Sequence, residues 1–349
     1  MTAKTTHSAL KDKDSHRERL LQILATFPNL TVTVVGDVVA DEFVFGEIAR
    51  VSREAPVLIL KHREKTVAPG GGGNAMNNLA ALGVKVLPVG VVGDDESGRL
   101  LLQFFRKRRL STGAIFVRKG YTTPTKTRIL AGMTHSSRQQ VVRLDREPDP
   151  VELAQSSDYL HAIRRYLGVS DALLLSDYGY GAATPEIFEQ VRRQAQDLPV
   201  LLDSRYRMMD YCGVTAATPN EPEVEAALGV SIGNDNEKLA AAGRALLARM
   251  KLQSLVVTRG RDGMVVFERR RPPLPIPIFG TDQVADVTGA GDTVIAVFTA
   301  ALAAGADTAS AARLANYAGG IVVMKRGTAT VSRAELQAAV EQDAAGGTA

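Results

Sequence analysis

One cysteine, Cys212, is all that the 349-residue chain contains. That scarcity excludes an internal disulfide framework and any zinc site built on several thiolates, and it points to a reducing compartment. Long apolar runs are missing as well. No stretch approaches the ~20 uninterrupted apolar residues of a membrane span, and the amino-terminal "MTAKTTHSALKDKDSHRERL" lacks the apolar centre of a secretory signal. The expectation is a soluble, cytoplasmic protein, in which the glycosylation-like Asn29-Leu30-Thr31 is a chance match. The five histidines form no H-E-x-x-H and no metal-ligand spacing. The first strand is not followed by G-x-G-x-x-G, and no G-x-x-x-x-G-K-[ST] occurs, which removes the dinucleotide fingerprint and the Walker A loop.

What is present describes a folded chain: 45% of residues are hydrophobic and 23% charged. Net charge is +4 with the basic residues dispersed. The short runs Arg106–Arg109 and Glu268–Arg271 read as solvated faces rather than nucleic-acid patches, while small anionic substrates suit the mild excess. No Pro/Gly/Ser-rich linker divides the middle, so one large α/β domain with inserted pieces is expected.

Residues 1 to 29 read as a polar tail to about residue 14 and then a helix to about Phe27. "LTVTVVGD" (Leu30 to Asp37) is a β-branched run that closes in Gly-Asp. Apolar strand candidates at "VKVLPVGVVG", "DALLLSD", "PVLLDS" and "QSLVVTRG" then alternate with helical stretches. Alternation of this kind predicts a central, mostly parallel sheet with helices on both faces, with ligands at the carboxyl ends of strands. Asp37, Asp177, Asp203 and Thr258 close such runs. Two stretches break the alternation with a period of two, at about 41–66 and 113–146, and are expected to form a small β-lid or dimer contact. The main domain is set at 30–335 and 336–349 reads as a carboxyl-terminal tail, frayed over its last stretch "QDAAGGTA".

The run "ADVTGAGDTV" (Ala285 to Val294) raises the sharpest question. Val294, Val297, Phe298, Ala301 and Leu302 fall on one helical face, so a helix starts near residue 290. Glycines at its entrance leave backbone N–H groups and the helix dipole facing outward, an anion hole formed by Gly289, Ala290 and Gly291. Asp292 one turn in is either an ordinary first-turn acid or a base beside a transferring phosphoryl group. Spacing alone leaves both open. Elsewhere, Gly70 to Gly73 before Asn74 is a close backbone approach to a polyhydroxylated ligand or a flexible turn. Asn220 and Glu223 imitate a capping box, and Gly260 and Gly263 fit a strand-turn-strand.

Taken together, D-x-T-G-A-G-D at Asp286 to Asp292, P-G-G-x-x-N at Pro69 to Asn74, N-x-x-E at Asn220 to Glu223 and T-x-G-x-x-G at Thr258 to Gly263 resemble the PfkB, ribokinase-like family of carbohydrate kinases over roughly 30 to 335. The resemblance implies a ribokinase-like fold and ATP with Mg²⁺ as cofactors. In the roles it implies, Asp292 takes the proton of a sugar hydroxyl while the Gly289, Ala290 and Gly291 amides stabilise the moving phosphoryl group. Asn220 and Glu223 organise Mg²⁺ through water, and Thr258, Gly260, Gly263 and Asn316 flank the nucleotide. Asp37, Asp41, Gly70, Gly71 and Asn74 hold sugar hydroxyls, joined in the substrate pocket by Arg128, Asp177 and Arg205, with Lys126 nearby. Asp286 and Thr288 match positions that bind a monovalent cation, K⁺, in some relatives. A homodimer through the lid is implied too.

Within the family, "GDVVADEFVFGEIARVSREAPV", "GGGGN" and "QQVVRLDRE" are similar to kinases acting on the anomeric hydroxyl of D-glycero-D-manno-heptose 7-phosphate, a step toward lipopolysaccharide cores. Two departures stand against that likeness: Asp203-Ser204-Arg205 replaces the usual Asp-Pro-Lys, and the loop before Gln139 is longer. No H-x-G-H nucleotidyltransferase signature follows residue 335, so the expectation is a kinase half alone. The alternatives are a family kinase for another sugar, sugar phosphate or nucleoside, or a nucleotide- or sugar-binding protein without turnover.

Overall fold

Strand β1 (Thr31–Gly36) carries valines on both faces and buries both, Val32 and Val34 in one apolar cluster and Val35 in another. A strand sealed on two sides belongs inside a sheet covered by helices. The computed structural model describes residues 3–132, 139–280 and 285–345. In it β1 lies between β4 (Lys85–Gly93) and β8 (Ala172–Asp177), parallel to both. The sheet continues beyond β8 through β9 (Val200–Ser204), β10 (Ala216–Ala217), β11 (Ser254–Thr258), β12 (Met264–Glu268) and β13 (Leu274–Ile276). It ends on the other side with β5 (Ile115–Arg118). Pairing is parallel except for β12, which runs antiparallel to both of its neighbours.

One face is covered by α1 (Ala3–Thr26), α2 (Gly72–Ala81), α3 (Glu96–Lys107), α8 (Ala290–Ala303), α9 (Thr308–Val322) and α10 (Arg333–Ala345), which bury Leu24, Leu79, Phe105, Phe298, Leu314 and Leu336. The other face takes α4 (Ser157–Leu167), α5 (Pro185–Val191), α6 (Glu221–Leu228) and α7 (Asn236–Arg249), with Ile163, Phe188, Val224 and Leu246.

A second sheet departs where β1 ends. β2 (Val38–Val51) and β3 (Leu58–Gly71) form a long antiparallel pair, and β6 (Thr125–Gly132) with β7 (Gln139–Arg146) extends it in the order β3-β2-β6-β7. β2 leaves just after Asp37 and β3 returns at Gly71, next to Val38, so the lid is hinged at the carboxyl end of the main sheet.

Three expectations need correction. β5, inside the span assigned to the lid, pairs with β4 in the main sheet. The amino-terminal helix starts at Ala3 instead of near residue 14. Residues 336–345 are helix, not tail, because Leu336 and Val340, spaced four apart, are both buried in the core. The long loop expected before Gln139 falls on 133–138, outside the described residues. Among the described residues no helix is long and apolar enough to cross a membrane.

Candidate active site

Gly289 enters α8 with φ +77°, and a Cβ there would come within 2.4 Å of the Asn74 side-chain nitrogen. Only glycine suits that turn. Asp286 fixes the turn from below in sequence: its Oδ1 accepts from the Thr288 amide at 2.9 Å and its Oδ2 from the Gly327 amide at 3.0 Å. Although burial opposes ionisation, these bonds hold Asp286 below the usual carboxylate range. The Ala290 amide is donated to Val287 O at 3.2 Å, so it is not available to the anion hole as expected. The amides of Gly289 and Gly291 remain for a ligand, along with the dipole of the helix.

Asp292 does not cap its helix. It is 4% exposed, its Oδ2 accepts from Asn74 Nδ2 at 2.9 Å, and its Oδ1 accepts from the Tyr178 hydroxyl at 2.8 Å. Burial pushes its carboxyl up to about 7 against those two bonds, with Asp41 raising it further and Lys126 lowering it. The orientation of Asn74 is set from behind. Asn78 Nδ2 donates to both the backbone oxygen and Oδ1 of Asn74 at 3.0 Å, and Asn78 Oδ1 accepts from the Val331 amide at 3.4 Å and the Thr293 hydroxyl at 3.2 Å. Backbone partners decide which end of the Asn78 amide is which, and Asn74 must then turn its NH₂ toward Asp292.

Three expected sugar ligands are placed elsewhere. Asn74 is 0% exposed; its NH₂ is donated to Asp292 and to Gly289 O (3.3 Å), and its Oδ1 accepts from Asn78. Asp37 is 2% exposed and spends its oxygens on the amides of Tyr178 (2.8 Å), Tyr180 (2.9 Å) and Ala182 (2.8 Å), which pins the loop after β8. Burial pushes its carboxyl up to about 7, against those amides. Asp177 is closed off by Arg207 (2.7 Å), Tyr211 (2.9 Å), Ser204 (3.2 Å) and the Gly179 amide (2.9 Å). None of the three lines the sugar-side or the nucleotide-side cavity, and their polar atoms are spent on partners within the protein.

The remaining sugar-side residues converge. A cavity of about 360 Å³ is lined by Asp41, Gly71, Arg128, Arg205, Gly289, Gly291 and Asp292, together with Lys126, Tyr178, Asn220, Glu223 and Thr288. Gly70 lies against Asp41, whose carboxylate pairs with Arg128 at 2.5 Å and accepts from Thr328 at 3.1 Å. Arg128 is thereby neutralised. Lys126 has no carboxylate within ion-pair distance among the described residues; its ammonium sits 5.4 Å from the centre of the Tyr178 ring. Burial first, then Arg205, lowers its proton affinity. Burial, followed by the charges of Asp292 and Glu223, pushes Asp203 well above the usual carboxylate range.

On the other side of Gly291 a cavity of about 210 Å³ is lined by Thr258, Gly260, Gly263 and Asn316, as expected, and by Ile278, Val294, Gly319 and Val323. Asn316 Nδ2 is tied to Pro277 O at 2.8 Å. Gly291 and Val287 line both cavities, so the helix entrance is their common wall. Asn220 and Glu223 do form the capping box, each side chain accepting from the other's amide at 2.9 Å, yet both also face the sugar-side cavity. Burial pushes Glu223 up, opposed by Asn220 and Arg205. Among the described residues there is no group of three or more His, Cys, Asp or Glu able to hold a metal by itself. A Mg²⁺ carried on nucleotide phosphates, needing one or two protein oxygens and water, fits what Asn220 and Glu223 leave free.

Tyr178 and Asn78 belong to no motif. Asn78 could have been sought one helical turn after Asn74. Tyr178 is signalled only by the glycine-spaced "DYGYG" that follows β8. The run Gly229–Gly233 matches the G-x-S-x-G spacing of a serine-hydrolase elbow, but it follows α6 rather than a strand, which excludes that geometry.

Comparisons with known proteins agree with this layout. A family model described as pfkB family carbohydrate kinase matches residues 31–335. The "Bifunctional protein HldE" of Pelobacter propionicus is 41% identical over 314 residues, covering 88% of this chain and 62% of that protein. Its namesake in Geobacter metallireducens is 40% identical over 324 residues, covering 92% and 65%. The chain thus spans less than two thirds of the length of these relatives. Arabidopsis thaliana ribokinase complexed with ribose and ATP superposes with a TM-score of 0.70 at 19% identity, over 89% of this chain and 99% of that one. Escherichia coli phosphofructokinase-2 in complex with potassium gives 0.69 at 15%, over 90% and 98%. At such identities the likeness is one of fold.

Proposed function

The chain belongs to the pfkB family of carbohydrate kinases, and on that premise we propose that it transfers the γ-phosphate of ATP to the anomeric hydroxyl of D-glycero-D-manno-heptose 7-phosphate. ATP occupies the cavity beside Thr258, Gly263 and Asn316, and the sugar occupies the one beside Asp41, Lys126 and Arg128. The sugar O–H breaks as its proton passes to Asp292, the new O–P bond forms, and the bond between the γ-phosphorus and ADP opens. The amides of Gly289 and Gly291 and the α8 dipole offset charge on the moving group. Mg²⁺, when bound with the nucleotide, would supply further positive charge there, and Asn220 and Glu223 would hold it through water. Asp286 and Thr288 are the donors suited to a monovalent cation.

The observation that carries the choice of a phosphorylated sugar is Lys126. A half-buried cation with no carboxylate at ion-pair distance among the described residues, beside Arg205 in the sugar cavity and only partly offset by the more distant Asp41 and Asp145, is costly unless an anion completes it. A sugar phosphate supplies one; ribose or fructose does not. ADP release from ATP, measured with neutral sugars and with sugar 1-, 6- and 7-phosphates, tests this. Heptose 7-phosphate should give the highest kcat/KM, and equal rates with ribose or fructose would remove the reading.

The outer lid strand leaves Val142 and Leu144 exposed, at 46% and 58%, with Val57 and Leu58 at the far edge. Such an apolar, open-edged sheet supports a homodimer through the lid. A monomer in sedimentation at micromolar concentration would contradict it.

A further inference from the structure

Three separate elements meet at the Asp292 carboxylate: α8 carries it, α2 supplies Asn74 to Oδ2, and the loop after β8 supplies the Tyr178 hydroxyl to Oδ1 at 2.8 Å. The same hydroxyl lies 3.5 Å from Asp203 Oδ2 and so stands between two acids. We propose that Tyr178 is a positioning residue for the base: its hydroxyl fixes the rotation of the Asp292 carboxylate, leaving the lone pairs used by neither Asn74 nor Tyr178 for the sugar hydroxyl. This rests on the reading of Asp292 as the base.

The ring is mounted for such a task. Its own amide and those of Tyr180 and Ala182 are held by Asp37, one carboxylate clamping three amides of one loop. Gly181 takes φ +97°, and a Cβ there would meet Val151 O at 2.1 Å, so the loop closes tightly onto the backbone at Val151. Gly71 leaves room for the ring, since a Cβ at that position would lie 3.2 Å from Tyr178 Cδ2, and the Lys126 ammonium lies over the ring. A phenol held this firmly cannot follow the carboxylate if it rotates. It can only hold it. Burial, with Asp292 and Asp203 adding to it, pushes the phenol well above its ordinary range, so it remains a donor.

Tyr178→Phe keeps the ring and removes the bond. Loss of a hydrogen bond to a charged group should lower kcat about 10- to 100-fold, with KM for ATP within about twofold. Placed on Asp292→Asn, the same change should alter the residual rate by less than about twofold, because no base is left to position. Wild-type kcat in Tyr178→Phe overturns the inference, and so does an equal fold-loss in both backgrounds, which is what damage to the fold or a direct sugar contact would give. Near-wild-type kcat in Asp292→Asn alone overturns the base itself, a result separate from either of those.

Discussion

Asp37 at the end of β1 and Asp292 in the first turn of α8 share a burial and a proton affinity. Each is almost wholly enclosed, and burial pushes each up to about 7. Their partners differ. Asp37 is gripped by backbone amides of a single loop, whereas Asp292 is held by side chains from two other elements and faces a cavity. A raised proton affinity therefore measures enclosure, and the kind of donor separates a strut from a base. Amides anchored in a loop consume a carboxylate for architecture. Side-chain donors that meet it at a cavity wall aim it.

The largest break in that comparison should come from Asp292→Asn. Asparagine matches the shape: its oxygen can still accept from Asn74 while its NH₂ donates to the Tyr178 oxygen, whose own proton can turn to Asp203, so thermal stability and calorimetric ATP affinity should hold. Turnover, measured as ADP release, should fall by about 10²–10⁴, the range for losing a general base. Turnover near wild type would put Asp292 in the same class as Asp37.

The sequence made the main sheet legible because its strands are apolar on both faces, and it made α8 legible through Val294, Val297 and Phe298. The family resemblance of its motifs also gathered most of the sugar-side cavity, but of the nucleotide-side one only Thr258, Gly260, Gly263, Ala290, Gly291 and Asn316. Asp37 and Asp177 were misassigned for one reason: an acid closing a strand looks alike whether it meets a ligand or the next loop. Only the hydrogen-bond partners, set by Gly179 and Gly181 folding the loop back, tell them apart. Tyr178 was invisible because its partner lies 114 residues away in the chain. The helix at 333–345 was missed because its apolar positions, Leu336, Ala339 and Val340, are few and sit among alanines.

Asp37→Asn sharpens the contrast from the other side. Its new NH₂ would face one of the amides that the carboxylate now accepts, leaving buried N–H groups unpaired. The cost should be roughly 2–4 kcal/mol in urea unfolding, with a loss of turnover that follows the Tyr178 loop. A variant as stable as wild type but without activity would mean that Asp37 touches substrate after all.

The smallest effect is in pH. A base must be ionised to work, and the carboxyl of Asp292 stands at about 7, so lowering the pH through 7 protonates it. kcat/KM reports the free enzyme, and it should fall about tenfold per pH unit on the acid side and level off above neutrality. Asp41 pushes that limb up, while Lys126, Asn74 and Tyr178 pull it down, so Tyr178→Phe should shift it to higher pH. Asp37 stands at the same value but touches no reacting atom. Its titration belongs to stability: a carboxyl raised in the folded state favours folding below its unfolded value of 3.8, and that contribution is lost as pH rises to about 7. The acid limb should therefore persist in Asp37→Asn, in whatever activity remains, and vanish from the residual rate of Asp292→Asn. Finding it in both, or lost in both, would erase the distinction between the two aspartates.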